Sequence, residues 1–558
     1  MIRRVPPSGI HFPHCGIQGA ASSSRSSGRA GPAAAGGHAL PELGGIINGA
    51  IAVGFALITG GAALAGARGA PRDELPHPAR WALAGRGLGT ASTSLLLGGT
   101  VYTAYTYIAV PGLMFGTGGL ALYSLVYTML LSPLIMVLLP RLRDIAARHG
   151  LITGADYVRA RHGSQPLALA VALTGILATM PYLALQVVGM TAVLRSMGIA
   201  PAGVAGGAAL AVLFALFALV THPGGLRACA RMSVVKALLV GAMVAVLVTL
   251  AVAELGPPGR VFALADHRIA TDGLTIGVPP QGFTAYATLA LGSALAQLMY
   301  PQVLMVSLAS RSGNTLRAAT NFLPAWSLSL GLSAFLGVAA LASGGRTPSG
   351  HAELAVPMLV RTLAPDWLAG VLFGALAVGG LLPAVVMAMS MAMLLVRNVY
   401  SEYLNPTATP KHEVRVARGA SLAIMAGAVA FALLLQPQDT INLHLLGGIW
   451  ILQTLPAVAL SLFTQWFHQR ALFIGWAAGM VLGTALAGLH GFSSVVDIGV
   501  GPFHAPVYVA MAALAVNLVT AGVLTPLLGP LGVPRGHDSI ASGAAWERRG
   551  SKYAFVVE

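Results

Sequence analysis

The sequence predicts an all-α polytopic membrane protein. Of its 558 residues, 56% are hydrophobic and only 9% are charged, where a soluble domain carries roughly 25% charged residues. Mean hydropathy is +0.77. Long apolar runs recur along almost the whole chain. A run of about 20 apolar residues crosses a bilayer as a helix, which satisfies its own backbone hydrogen bonds. The runs do not alternate, so they lack the pattern of a membrane β-barrel.

Residues 1–42 are rich in Gly, Ala, Ser and Pro, a composition that builds no core. Arg3 and Arg4 resemble the start of a signal peptide, but no apolar stretch follows, so a cleaved signal is not expected. This segment reads as a disordered extension, or as sequence translated upstream of the true start. The membrane domain then occupies 43–530. Thirteen spans are expected in it, near 45–66, 88–114, 119–140, 166–194, 202–221, 233–254, 283–308, 320–343, 368–396, 415–435, 441–465, 471–489 and 505–528. Residues 531–558 form a polar tail.

Lys and Arg favour the cytoplasmic side of a membrane protein. Counted with their adjoining span ends, the odd-numbered loops and the C-terminal tail hold 23 of the 32 Lys plus Arg. The even-numbered loops hold 5, and 4 lie in the N-terminal segment. The alternation fits an odd number of spans with the N-terminus outside and the C-terminus in the cytoplasm. The formal charge of +15 is therefore mostly solvated loop charge and does not point to nucleic acid. Cys15 and Cys229 lie in unrelated segments and form no metal or disulfide spacing. The predominance of Arg among the basic residues, with abundant Gly and Ala, suits GC-rich bacterial coding.

Two spans carry helix-breaking residues. The second contains Gly98-Gly99 and, further on, Pro111-Gly112; the seventh contains Gly292 and Tyr300-Pro301-Gln302. Freed backbone groups are tolerated at membrane depth only where they are buried or line a cavity. Glycine also permits tight helix packing, which explains either span alone. The two lie five spans apart, however. Transporters built from inverted repeats place broken helices at corresponding positions in the two halves, with the solute between them. Residues 88–254 and 283–465 would be those halves. Thr100, Tyr102, Thr103, Tyr105 and Thr106 crowd the first break. Hydroxyls and carbonyls there suit a hard cation, and freed amides suit a carboxylate; the same hydroxyls can also satisfy one another.

The run Ile152-Thr153-Gly154-Ala155-Asp156-Tyr157-Val158-Arg159-Ala160-Arg161-His162-Gly163 resembles a cytoplasmic loop of the sodium:solute symporter family. The stretches 175–186, 290–295, 397–404 and 446–456 resemble its monocarboxylate permease branch. The resemblance runs from about residue 45 to 528. It implies a LeuT-like fold: ten core helices in two inverted repeats, with one helix before and two after. It also implies cation-coupled uptake of a small monocarboxylate such as pyruvate, lactate, acetate or propionate, without a bound cofactor, across a cell membrane. By the same resemblance, the solute would be lined by Tyr102, Thr103, Thr106, Gln186, Tyr300, Gln302, Trp450 and Gln453. Gln186 and Gln453 are polar groups deep in apolar spans and require partners in any case.

The chain departs from the family pattern at the ion site. The carbonyls that hold sodium in the family align with Gly99 and Tyr102. The hydroxyl pair in the ninth span aligns with Leu382 and Pro383, neither of which offers a side-chain oxygen. Pro383 leaves the Gly379 carbonyl without its helical partner. A sodium site would therefore rest on Gly99, Thr100, Tyr102 and Gly379. Thr100 stands where the branch often has aspartate, and Gln302 where it often has histidine. No Asp or Glu lies in the middle of any span, which argues against a carboxylate proton relay. Sodium coupling, proton coupling and loss of coupling all stay open. His222 and His444 read as structural residues at span ends. A membrane enzyme would need a cluster of catalytic groups, which is absent from the sequence. A sensor would need a signalling domain after 533, and a channel a charged or carbonyl-lined pore.

Overall fold

The computed structural model describes residues 49–67, 77–198, 204–221, 224–272, 274–348, 351–434, 442–500 and 503–541. All of these fall in one compact unit, 46–558. The 1–42 extension, His222 and residues 542–558 lie outside the described residues.

A helix occurs wherever the sequence shows an apolar run. Ten helices among the described residues are long and apolar enough to cross a membrane, or eleven if the bent pair Pro280–Met299 and Pro301–Leu308 counts as one. That is fewer than the thirteen expected. Part of the difference lies in Tyr105–Arg148, a 44-residue apolar helical stretch. Its backbone leaves the helix at Gly118, with φ 65° and ψ −140°. Glycine is required there, because a Cβ would overlap the Thr275 carbonyl.

The helices form an inner and an outer layer. The helix Asp366–Leu395 is the centre: its apolar window is 94% buried, against 28% for Gln469–Leu489 and for Val509–Leu528. Helices Gly49–Ala67, Gln165–Ser196 and Gly225–Leu255 pack around it. Gln469–Leu489 and Val509–Leu528 pair with each other at the rim.

One element departs from the expected helices. The last span does not begin at 505. Instead Val495–Val500 (β1) pairs antiparallel with Phe503–Tyr508 (β2), with Val495 opposite Tyr508 and Val500 opposite Phe503. The helix starts at Val509. The alternation in Val495–Val500 suits a strand, and strand two ends on a buried anchor. The Tyr508 hydroxyl donates to the Leu445 carbonyl at 2.7 Å, and its ring lies against Gly292 and Gly448.

The sequence runs around 152–163 and 397–404 meet in space. The Asp156 carboxylate accepts from the Ile152 amide at 3.0 Å and from Asn398 Nδ2 at 2.9 Å. It also lies 3.7 Å from Arg397, whose guanidinium pairs with Glu413 at 3.2 Å. Thr153 caps the helix Gly154–His162 by accepting from the Asp156 amide, and its hydroxyl donates to Asn398. Arg159 pairs with Glu402. Beside them the first residues of the polar tail are docked rather than free: Ser539 donates its amide to Ala160 at 2.9 Å, and Asp538 pairs with Arg161 at 2.9 Å. Burial pushes the His162 imidazole down to about 4, so it is neutral at pH 7 where it meets the Ala457 carbonyl.

Breaking a buried ion pair from one side costs about 3–5 kcal/mol, because the other charge stays buried. Asp156→Ala is therefore expected to lower the melting temperature in detergent by several degrees. Asp144→Ala, at a partly exposed site on the same side, should shift it far less. Equal shifts for the two variants would contradict this assignment.

Candidate functional site

The two breaks arise differently. The second follows directly from sequence. Tyr300 precedes Pro301, is held extended at φ −60°, ψ 135°, and ends the helix Phe283–Met299. Pro301 then opens the helix Pro301–Leu308 at a bend of 53°.

The first break does not fall at Gly98-Gly99. The helix Thr90–Val101 runs straight through both glycines and ends where Tyr102 turns extended at φ −93°, ψ 102°. Gly98 serves packing instead: the Trp326 indole occupies the place of its missing Cβ. A π-turn, Tyr105–Ala109, then leads into Val110–Thr117.

A helix end leaves its last carbonyls and first amides without intrahelical partners. Here protein side chains meet them. Gln186, fully buried in Gln165–Ser196, accepts from the Ala104 amide at 3.0 Å. It donates to Thr103 Oγ1 at 3.3 Å and to the Tyr182 carbonyl at 3.0 Å. Thr103 Oγ1 in turn accepts from the Tyr105 amide at 3.1 Å. The Tyr182 hydroxyl reaches the Val101 carbonyl at 3.4 Å. On the other side of the break, Lys236 Nζ donates to the Gly99 carbonyl at 2.6 Å and to the Tyr102 carbonyl at 2.7 Å. Lys236 is fully buried. The helix carrying it is Gly225–Leu255, eight residues longer at its start than the expected span from 233, so this lysine lies well inside the helix and not at its end.

Of the residues expected at the ion, Gly99 and Tyr102 thus already accept hydrogen bonds from the Lys236 side chain. Thr100 turns its hydroxyl back onto Leu97 O at 3.0 Å. Gly379 lies at van der Waals distance from Tyr107 and from Val240, and Val240 is one turn beyond Lys236. Leu382 lies over Gly99 beside the lysine stem. No group of three or more His, Cys, Asp or Glu that could hold a metal occurs among the described residues.

An aromatic cage lies between the breaks. Tyr182, Tyr105, Tyr300 and Tyr127 surround His444, with ring centroids 4.4, 4.6, 5.8 and 6.3 Å away. His444 is buried, not interfacial as expected; its helix, Leu443–Ile451, starts inside the bundle. Thr106 Oγ1, Ser293 Oγ, both amide atoms of Gln297 and of Gln302, and His444 Nδ1 are buried without a hydrogen-bond partner. Such atoms are costly in a low-dielectric interior unless something pairs with them.

The structure brings Thr103, Gln186 and Tyr300 to the breaks and cage, and leaves Thr106 and Gln302 with open hydrogen-bonding capacity. It separates the others. Tyr102 keeps its backbone at the break, but its ring stacks on Trp326 at 5.6 Å and its hydroxyl pairs with Ser327 at 2.8 Å. Trp450 turns outward to Thr484 at 3.1 Å. Gln453 pairs with Asn517 on the rim helix at 3.2 Å. Trp450 and Gln453 thus have hydrogen-bond partners on the outer helices. Lys236, Gln297 and His444 were missed as site residues; a lone lysine inside the apolar run 232–253 was the available signal for the first.

Known proteins resemble this chain in sequence and in fold. Residues 81–483 match the sodium:solute symporter family. A monocarboxylate transport permease protein of Rhizobium johnstonii is 41% identical over 459 residues, covering 82% of this chain and 92% of that one. The uncharacterized symporter YodF of Bacillus subtilis is 28% identical over 454 residues, covering 80% and 87%. Among solved structures, a Na+-coupled sialic acid symporter in a substrate-bound outward-open state superposes with a TM-score of 0.67 at 14% identity, covering 86% of this chain and 98% of that one. At that identity the likeness shows the fold.

Removing Gln186 leaves the Ala104 amide unsatisfied, at about 1–3 kcal/mol, and leaves Thr103 Oγ1 with the Tyr105 amide alone. Gln186→Leu is expected to lower the melting temperature in detergent by several degrees. Thr179→Val, in the same helix with a hydroxyl bonded only to Gly175, should shift it by much less.

Proposed function

Because the chain belongs to the sodium:solute symporter family, and is therefore a transporter and not an enzyme, we propose that it carries a small monocarboxylate across a cell membrane by alternating access. In this reading it is a multi-pass protein of thirteen crossings, with 88–254 and 283–465 as inverted halves, the N-terminus outside and the C-terminus in the cytoplasm. The rest of the chain is an N-terminal extension over 1–42 and a cytoplasmic tail over 531–558. The 41% identical relative named as a monocarboxylate permease supports the solute class, and the Arg-rich composition supports a bacterial source.

The observation that carries the reading is the set of buried, unpartnered polar atoms at the two breaks. A carboxylate accepts hydrogen bonds and donates none. Thr106, Ser293, Gln297 and Gln302 offer hydroxyl and amide donors to it, and amides next to a helix start favour negative charge. Tyr105, Tyr182 and Tyr300 give the small apolar remainder of a two- or three-carbon acid a close aromatic wall. Thr103 and Gln186 hold the break in shape. A small cavity of about 30 Å³ adjoins the second break, lined in part by Gly175, Pro301, Ser390 and Thr454.

Uptake of labelled pyruvate and propionate into proteoliposomes tests this. Saturable uptake inhibited by lactate but not by succinate is expected. Gln302→Leu and Thr106→Val are each expected to raise the KM about tenfold, the equivalent of one lost hydrogen bond of about 1.4 kcal/mol. Uptake of neither acid, or variants indistinguishable from the parent, would overturn the reading.

A further inference from the structure

We propose that the Lys236 ammonium is a tethered cation standing in the position where a symporter of this fold would hold sodium, so that sodium neither binds there nor drives this carrier. The proposal rests on the transport reading above, but its evidence is local geometry.

Unwound carbonyls at a helix break are the groups that coordinate a coupling cation in such carriers. The carbonyl end of the half-helix Thr90–Val101 carries partial negative charge and favours any positive group placed on it. Lys236 Nζ sits within hydrogen-bonding distance of both Gly99 O and Tyr102 O, at 2.6 and 2.7 Å. An ion bound to both oxygens would have to overlap the Nζ atom. Among the described residues no carboxylate reaches ion-pair distance of this ammonium. Its only compensation is therefore the two carbonyls, as it would be for a bare cation. A lysine at this depth is rare and expensive unless it pairs with backbone carbonyls facing the bundle interior.

The facing helix is changed to match. Leu382 and Pro383 bring no oxygen to the site, and Leu382 packs over Gly99 next to the lysine stem. Ser233, one turn before Lys236, directs its hydroxyl to its own helix at Ala230 O, 2.7 Å away. Thr100 does the same at Leu97. These two hydroxyls are thus committed elsewhere. An apolar lid and a tethered charge replace an exchangeable ion and its oxygen ligands. The charge then holds the break together in every step of the cycle, without entering or leaving.

The test uses the full-length protein in detergent and in proteoliposomes, with sodium chloride replaced by choline chloride at constant ionic strength. Ligand binding to the folded state raises the melting temperature. The parent's melting temperature and its pyruvate uptake are both expected to be unchanged between zero and 150 mM sodium. Lys236→Met, which keeps the stem and removes the charge, is expected to lose uptake at least tenfold at matched protein level. A melting temperature raised by sodium, uptake stimulated threefold or more by sodium, or full uptake by Lys236→Met would each overturn the proposal. The melting measurement needs no solute. It therefore decides the question even if the Met variant does not fold, and even if no monocarboxylate is carried and the transport reading itself fails.

Discussion

The fold depends on how the broken backbone at Tyr102–Ala104 is satisfied inside an apolar bundle. Water is not there to do it, and an unpaired amide or carbonyl at that depth is costly. Two long side chains from neighbouring helices supply the answer. Gln186 takes the amide side of the break and Lys236 the carbonyl side. The central helix Asp366–Leu395 passes beside them: a Cβ on Gly379 or Gly380 would sit in ordinary contact with Tyr107, Val240, Ala104 and Gln186. The break, the glutamine and the lysine form one mutually dependent unit.

From that unit outward the architecture follows a division of labour. The inner helices carry polar atoms that the protein leaves unpaired, at Thr106, Ser293, Gln297 and Gln302. On the outer side Gln453 pairs with Asn517, whose own Oδ1 has no partner, and Tyr508 pairs with Leu445. On the loop side, the buried Asp156–Arg397–Glu413 group ties the 152–163 run to the 397–404 run, so the stretches that carry the family resemblance are structural clamps.

Much of this was legible in the sequence, and the misses have physical causes. Helical spans are easy to read, because apolar length alone specifies them. The Tyr300-Pro301 break was readable because proline forbids the alternative. The Gly98-Gly99 pair misled, since glycine both weakens a helix and admits a neighbour, and the Trp326 ring decides for the second. Lys236 was counted with the fifth loop as a span-end charge, because Arg227 and Arg231 interrupt the apolar run and hide that the helix starts at Gly225. Trp450 and Gln453 share a helix with the site, but which way a side chain faces depends on packing partners from the rim helices. The hairpin before Val509 was hidden for the same reason: its strands are short, and only pairing makes them strands.

The central claim is that the chain is a carrier for small monocarboxylates, whatever its driving ion. Counterflow tests this most directly, because it needs no ion gradient. Proteoliposomes loaded with millimolar unlabelled pyruvate would be diluted into trace labelled pyruvate. The account predicts a transient accumulation of label above equilibrium, abolished when the internal solute is succinate. Label that only equilibrates, or accumulation equally supported by succinate, would contradict it.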